Sequence, residues 1–190
     1  MSDVQVQPML YPGDIFLTRG TNLMSRLIRR FTRNHGESRT MVNHVGLVVS
    51  HGGTASSEIV EALTTVRRRR FSVYRNKPRH DVAVYRPTNL TTLESLHVSE
   101  HADNYVGRKY GYIKIVAHFL DWCLAGRYFF RRFAFMDNYP ICSWVVAQAF
   151  AKEGYTFGVD PGAASPDDIW DFVTNNPDKY DCIYELGRLP

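Results

Sequence analysis

The chain reads as an α+β fold with an antiparallel sheet, on three observations. Strand-like runs come first and helix-like runs follow, an order that favours segregated α+β layers over alternating parallel units. The strand-like runs are short and bounded by Gly and Pro, as hairpin-connected strands are. The composition supports a packed core: 44% of residues are hydrophobic, with 11 Phe, 11 Tyr and 3 Trp, which excludes a disordered chain. At 190 residues the sequence fits one domain over residues 1–190.

The elements follow in order. Gly13-Asp14-Ile15-Phe16-Leu17-Thr18 is a turn and a short strand. Thr21 can cap a helix to about Thr32, with Leu23, Leu27, Ile28 and Phe31 on one side and Arg26, Arg29 and Arg30 on the other. Asn34 to Thr40 is a polar loop. His44 to Ser50 is rich in strand-forming residues, His51-Gly52-Gly53 is a turn, and Glu58 to Leu63 is the partner strand. Asp81 to Arg86 is a further strand, closed by Pro87. Leu90 to Val106 carries helical spacing through Leu93, Leu96, Val98, Ala102 and Val106, with Thr91 or Thr92 as cap and Gly107 as stop. Ile113 to Leu124 is a second helix in an aromatic-rich helical elaboration over about 112–138. Ile141 to Lys152 is a third, with Gly154 beyond it. Ser165-Pro166-Asp167-Asp168 starts a helix ending near Val173, and Cys182 to Leu186 is a last strand.

Charge and cysteine content set bounds on function. A net charge of +4 is too small to choose among phosphates, anionic lipid and nucleic acid. The cysteines are Cys123, Cys142 and Cys182, an odd number without a CxxC spacing, which argues against a disulfide framework. Met1 to Pro12 has neither the basic nor the apolar region of a signal peptide, and no apolar run is long enough to cross a membrane. A cytoplasmic setting is expected.

Two segments carry chemistry. Asn43-His44-Val45-Gly46-Leu47-Val48-Val49 puts a histidine at the start of an apolar strand. On that strand His44, Gly46 and Val48 share a face, and Gly46 leaves room beside the imidazole. Pro140-Ile141-Cys142-Ser143-Trp144-Val145-Val146-Ala147 puts a cysteine on the first turn of an apolar helix, since proline suits that turn. There the backbone N–H groups and the helix dipole stabilise a thiolate and can bind an oxyanion. The bland alternatives are a structural histidine and a small buried thiol; Cys123 and Cys182 read as the latter. A carboxylate should orient the imidazole. Glu58 and Glu61 lie three apart on the following strand, so they face opposite sides. Glu61, between Val60 and Ala62, is the more buried choice.

In this order, His then Glu then Cys, the chain resembles the circularly permuted branch of the NlpC-type papain-like hydrolases. The YiiX/YaeF-like proteins are its nearest members and lecithin retinol acyltransferase is a distant relative. The resemblance runs through Gly13-Asp14-Ile15, Asn43-His44-Val45-Gly46, Val60-Glu61-Ala62, Gly107-Arg108-Lys109-Tyr110-Gly111-Tyr112, Cys142-Ser143 and Ser165-Pro166-Asp167-Asp168, and spans Pro12 to about Val173. It implies a permuted papain-like fold, an antiparallel sheet or small barrel packed against helices. It also implies a cysteine hydrolase with Cys142, His44 and Glu61 as catalytic residues and no metal or other cofactor. Tyr110, Tyr139, Ser143 and Trp144 are expected to border the substrate, a cell-wall peptide or a lipid acyl group. The chain departs from the family at Trp144, where Glu is common, and in the length and aromatic content of 112–138.

Other readings compete. His97-Val98-Ser99-Glu100-His101 spells the inverted zinc-protease string. On a helix His97 and His101 lie one turn apart, Glu100 would be the base, and Asp121, Asp137 or Glu153 the third ligand. The same segment reads as an amphipathic helix with a solvated face. Arg67-Arg68-Arg69-Arg70, with Arg75, Lys77 and Arg79, reads as a solvated loop and strand edge, or as a contact for an anionic surface. It carries no nucleic-acid motif, so no specific nucleic acid is expected. The apolar stretch from Tyr112 to Leu124, followed by Arg127 to Phe133, reads as a core helix, or else as an acyl pocket or peripheral membrane contact. A non-catalytic binding protein on the same fold is the alternative to an enzyme.

Overall fold

Short apolar runs become the two central strands. The computed structural model describes residues 8–20, 40–75, 80–109, 141–187 and 189. The expected helix from Thr21, the loop before Thr40, and the helix and elaboration within 112–138 lie outside the described residues. Strands β2 (Ile15–Gly20) and β3 (His44–Val48) are almost wholly buried. Strands covered on both faces read as near-continuous apolar runs, which is why Ile15–Leu17 and Val45–Val48 show no polar alternation. They pair antiparallel, with Phe16 opposite Gly46 and Thr18 opposite His44.

β5 (Glu58–Ala62), β6 (Val66–Arg70), β7 (His80–Pro87) and β8 (Tyr180–Leu186) complete a six-stranded sheet in the order β6-β5-β3-β2-β7-β8. Every pairing in it is antiparallel. Among the described residues β6 and β8 are the edges of the sheet, which does not close into a barrel. A second small ladder joins β1 (Met9–Leu10) to β4 (Gly52–Gly53). The glycines expected to form only a turn therefore also bind the N-terminal strand.

Among the described residues the longer helices follow the strands or separate them. α2 (Thr92–Asp103) starts at a capping box between Thr91 and Glu94. It stops short of Val106, and the chain reverses at Gly107, whose φ of 89° suits glycine. α3 is Cys142–Ala151. α4 (Pro166–Asn175) starts at a capping box between Ser165 and Asp168 and runs past the expected end at Val173. Their apolar faces meet one side of the sheet: Val98, Ala102, Val145, Val146, Ile169 and Trp170 join Val45, Leu47 and Val60 in the larger core. The other side holds a smaller core of Leu10, Phe16, Val48, Ile59, Phe71, Tyr74, Val82 and Val84.

The arginine run forms the edge strand β6, the strand-edge part of its expected reading. Arg67 pairs with Glu61 and Arg70 with Glu58 across the β5–β6 hairpin, and opposite charges in register favour that pairing. Arg68 reaches both Glu58 and Asp103, at 2.7 Å and 2.6 Å. The chain then folds into the short helix α1 (Ser72–Arg75), which turns Tyr74 into the smaller core.

Candidate active site

The site forms where β3 and α3 begin. His44 is the first residue of β3 and Cys142 the first of α3. The approach to His44 is held by Asn43, whose N–H donates to the Thr18 carbonyl at 3.0 Å and whose Oδ1 accepts from the Gly20 N–H at 2.6 Å. Gly46 does make room beside the imidazole, and the Phe16 ring takes it. A Cβ on Gly46 would lie 2.4 Å from that ring and 2.7 Å from the Val60 carbonyl oxygen. The ring in turn stands edge-on to His44, with centroids 6.1 Å apart.

Strand register selects the carboxylate. Leu47 pairs with Val60 and Val48 with Ile59. Continuing that register puts Glu61 on the His44 face, diagonal to the histidine. Its Oε2 lies 2.6 Å from His44 Nε2, with the glutamate only 1% exposed. Glu58 turns to the opposite face, where its side chain is 41% exposed and paired with Arg68. Glu61 has two further partners: the Tyr74 hydroxyl donates to Oε2, and Arg69 approaches Oε1.

The sulfur completes the group. Cys142 is buried, 5% exposed, and lies close enough to the His44 ring for each to shift the other's protonation. With Nε2 on Glu61, the nitrogen left for sulfur is Nδ1. The backbone N–H groups of Val45 and Ser143 also point to the sulfur. The N-cap of α3 is Ile141, whose side chain makes no cap hydrogen bond to the first-turn N–H groups.

Burial opposes every charge here, and the contacts overcome it. For Cys142 desolvation raises the thiol pKa, but the hydrogen bond and positive charge of His44 and the two backbone donors bring it below its usual 9.0. For His44 desolvation favours the neutral ring, and its bonds to Cys142 and Glu61 reverse that, raising the pKa above 6.5. For Glu61 desolvation is outweighed by His44, Tyr74 and Arg69, and the carboxyl falls from 4.5 to about 2. Each direction favours the charged form: thiolate at Cys142, imidazolium at His44 and carboxylate at Glu61. Cys182, by contrast, sits exposed on β8, and partial burial with Glu185 beside it pushes its thiol up to about 11.

The residues expected to border a substrate divide. Tyr110 and Tyr139 lie outside the described residues, as does Cys123. Ser143 and Trp144 turn into the protein. The Ser143 hydroxyl is fully buried and donates to the Ala164 carbonyl at 2.6 Å, tying the start of α3 to the loop before α4. Trp144 packs edge-on to Tyr105 at 4.9 Å within the larger core. Helical geometry explains this: the two residues after Cys142 rotate away from its side by about 100° each. Sequence reading missed Tyr74 and Arg69 as partners of Glu61. The signal available was the opposite charge of the Glu58–Ala62 and Val66–Arg70 segments across a short hairpin.

The H-x-x-E-H string sits on α2. His97 Nδ1 and His101 Nε2 lie 3.3 Å and 2.9 Å from the two carboxylate oxygens of Glu153, while Glu100 is exposed. The two imidazoles thus already engage the would-be third ligand. Among the described residues no group of three or more His, Cys, Asp or Glu side chains is arranged to hold a metal ion.

No family model and no curated protein matches the chain. Its fold is similar to that of the metalloprotein YiiX (DUF1105) from Escherichia coli O157:H7, over 97% of this chain and 99% of that one, at 15% identity and a TM-score of 0.59. The YiiX-like α+β architecture expected from the ordered motifs is therefore present. Among the described residues no helix is long and apolar enough to cross a membrane.

Proposed function

We propose that the chain is a thiol hydrolase acting on an amide, ester or thioester. The observation that carries this reading is the buried contact of Cys142 with His44, which is itself 2.6 Å from Glu61. Nothing local brings these segments together, and a core histidine, a core cysteine and a core glutamate need no such alignment. In the proposed reaction the Cys142 thiolate attacks the carbonyl carbon. The oxyanion is received by the Cys142 backbone N–H at the uncapped start of α3. His44 gives its Nδ1 proton to the leaving amine, alcohol or thiol as the C–N, C–O or C–S bond breaks. The acyl-enzyme is then attacked by water, whose proton His44 accepts. The acid leaves and the resting pair is restored. Glu61 keeps a proton on Nε2 throughout and stabilises the imidazolium.

The substrate classes that fit by family resemblance are cell-wall peptides and lipid acyl groups. A YiiX-like fold is compatible with both. The arginine run adds less to substrate binding than its density implies, because Arg68 is engaged with Glu58 and Asp103 and Arg69 with Glu61. An acyl-electrophile probe on the native protein tests the reading, together with matched amide, ester and thioester substrates of both classes. Labelling of Cys142, and hydrolysis that disappears in Cys142→Ala, is expected. Hydrolysis that persists in Cys142→Ala contradicts it.

A further inference from the structure

Glu61 is the most demanding group in the site. It is a carboxylate with no exposed side-chain surface, and an unsupported carboxylate there would take up a proton rather than remain charged. A protonated Glu61 could not hold the imidazolium of His44. Two hydrogen-bond donors and one guanidinium charge prevent this, and only one of the three is His44. Oε2 accepts from His44 Nε2 and from the Tyr74 hydroxyl, and Oε1 faces Arg69. Tyr74 comes from α1 and Arg69 from the edge strand β6, both on the side of Glu61 away from Cys142. The two are also joined to each other: an Arg69 guanidinium nitrogen lies 3.4 Å from the Tyr74 hydroxyl, and the guanidinium stands 5.5 Å from the ring centroid. Phe16 and Phe71 pack against Tyr74, at 5.2 Å and 6.2 Å between centroids, so the phenol has little freedom to leave.

We propose that Tyr74 and Arg69 are positioning residues that clamp the Glu61 carboxylate from behind, keeping it charged and holding the His44 Nε2–H on it so that Nδ1 faces the Cys142 sulfur. The inference rests on the thiol-hydrolase reading for its consequence, but the clamp itself is a statement about Glu61 and His44. The charges make the case. Thiolate, imidazolium, carboxylate and guanidinium cancel as two pairs. Without Arg69 the group carries a net negative charge in a buried place, and the proton of His44 is drawn toward Glu61. Tyr74 supplies a neutral donor, so its loss should matter less.

The test uses Arg69→Met, Arg69→Lys and Tyr74→Phe in the full chain, with two readouts. NMR of the His44 ring follows the Nε2 proton, and iodoacetamide at pH 6 follows Cys142. In Arg69→Met the Nε2–H signal should shift from its wild-type position and exchange with water faster, and alkylation should slow about ten-fold; Tyr74→Phe should slow it about three-fold. Arg69→Lys, which keeps the charge but not the fork, should recover most of the loss. Tyr74→Phe removes a single hydroxyl and carries the test if Arg69→Met does not fold. An Nε2–H signal unchanged in the folded variants would overturn the clamp. That readout needs neither turnover nor a reactive thiol. A wild-type Cys142 of ordinary reactivity would therefore count against the hydrolase and leave the clamp to be judged on His44.

Discussion

Among the described residues two glutamates hold imidazoles, and the two places differ in everything except the residue types. At His44–Glu61 both partners are buried, the carboxylate is shared with a phenol and a guanidinium, and a thiol lies on the far side of the ring. At Glu153 two imidazoles from consecutive turns of α2 meet one carboxylate near the surface, with the His97 side chain 45% exposed. Both glutamates are held below their usual pKa: Glu153 by His101 first and His97 after, Glu61 by its three partners against a desolvation penalty. The comparison teaches that a hydrogen bond between these side chains is not itself a sign of chemistry. Water competes for the pair on α2 and screens it. Burial removes water at Glu61, so each remaining contact there decides a protonation state.

The largest way to break this contrast is to remove each histidine in turn. His44→Ala should lower hydrolysis by about a thousand-fold or more. Next in size is Glu61→Gln, expected to lower kcat about ten-fold or more in a folded protein; Glu58→Gln should be silent. The same variant sharpens the electrostatic account. A carboxyl moved from 4.5 to about 2 on folding adds stability that is present above pH 4.5 and lost as pH falls through about 2. Acid unfolding followed by circular dichroism should therefore be less steep over that range in Glu61→Gln. Gly46→Ala probes the packing behind His44. Its Cβ meets Phe16 and the backbone of Val60, so thermal or urea unfolding should show a loss of about 1–3 kcal/mol, with no comparable effect from a substitution at the open Gly53. The smallest effect is expected at the surface pair: His97→Ala and treatment with a strong chelator should each change hydrolysis less than about two-fold. Loss with the chelator, restored by zinc, would reverse the ranking of the two sites.

Much of this was legible in the sequence because it depends on local rules. The capping boxes at Thr91 and Ser165 mark two helix starts, and the buried runs at Ile15–Thr18 and His44–Val48 mark the central strands. Glu61 could be preferred over Glu58 because strand parity and apolar neighbours separate them. What escaped depends on tertiary pairing. The arginine run read as a solvated loop and strand edge, and its ion pairs with Glu58, Glu61 and Asp103 depend on the hairpin and α2 bringing those carboxylates alongside. Tyr74 could not be connected to Glu61 from sequence, since the turn after Phe71 decides where the phenol points. Ser143 and Trp144, expected beside a substrate, are buried, because helical rotation turns them away from the Cys142 side and into the protein.

The most direct measurement of the central claim compares two thiols in one protein. Cys142 and Cys182 differ in what faces the sulfur: an imidazolium and two backbone donors at one, Glu185 and partial burial at the other. The rate of iodoacetamide alkylation at each, resolved by peptide mass and followed against pH, reports the thiolate fraction. Cys142 should label at neutral pH well before Cys182, although it is the more buried, with an apparent pKa below 9 that rises when His44 is replaced by alanine. Equal labelling of the two at neutral pH, or a Cys142 profile that His44→Ala leaves unchanged, would contradict the account.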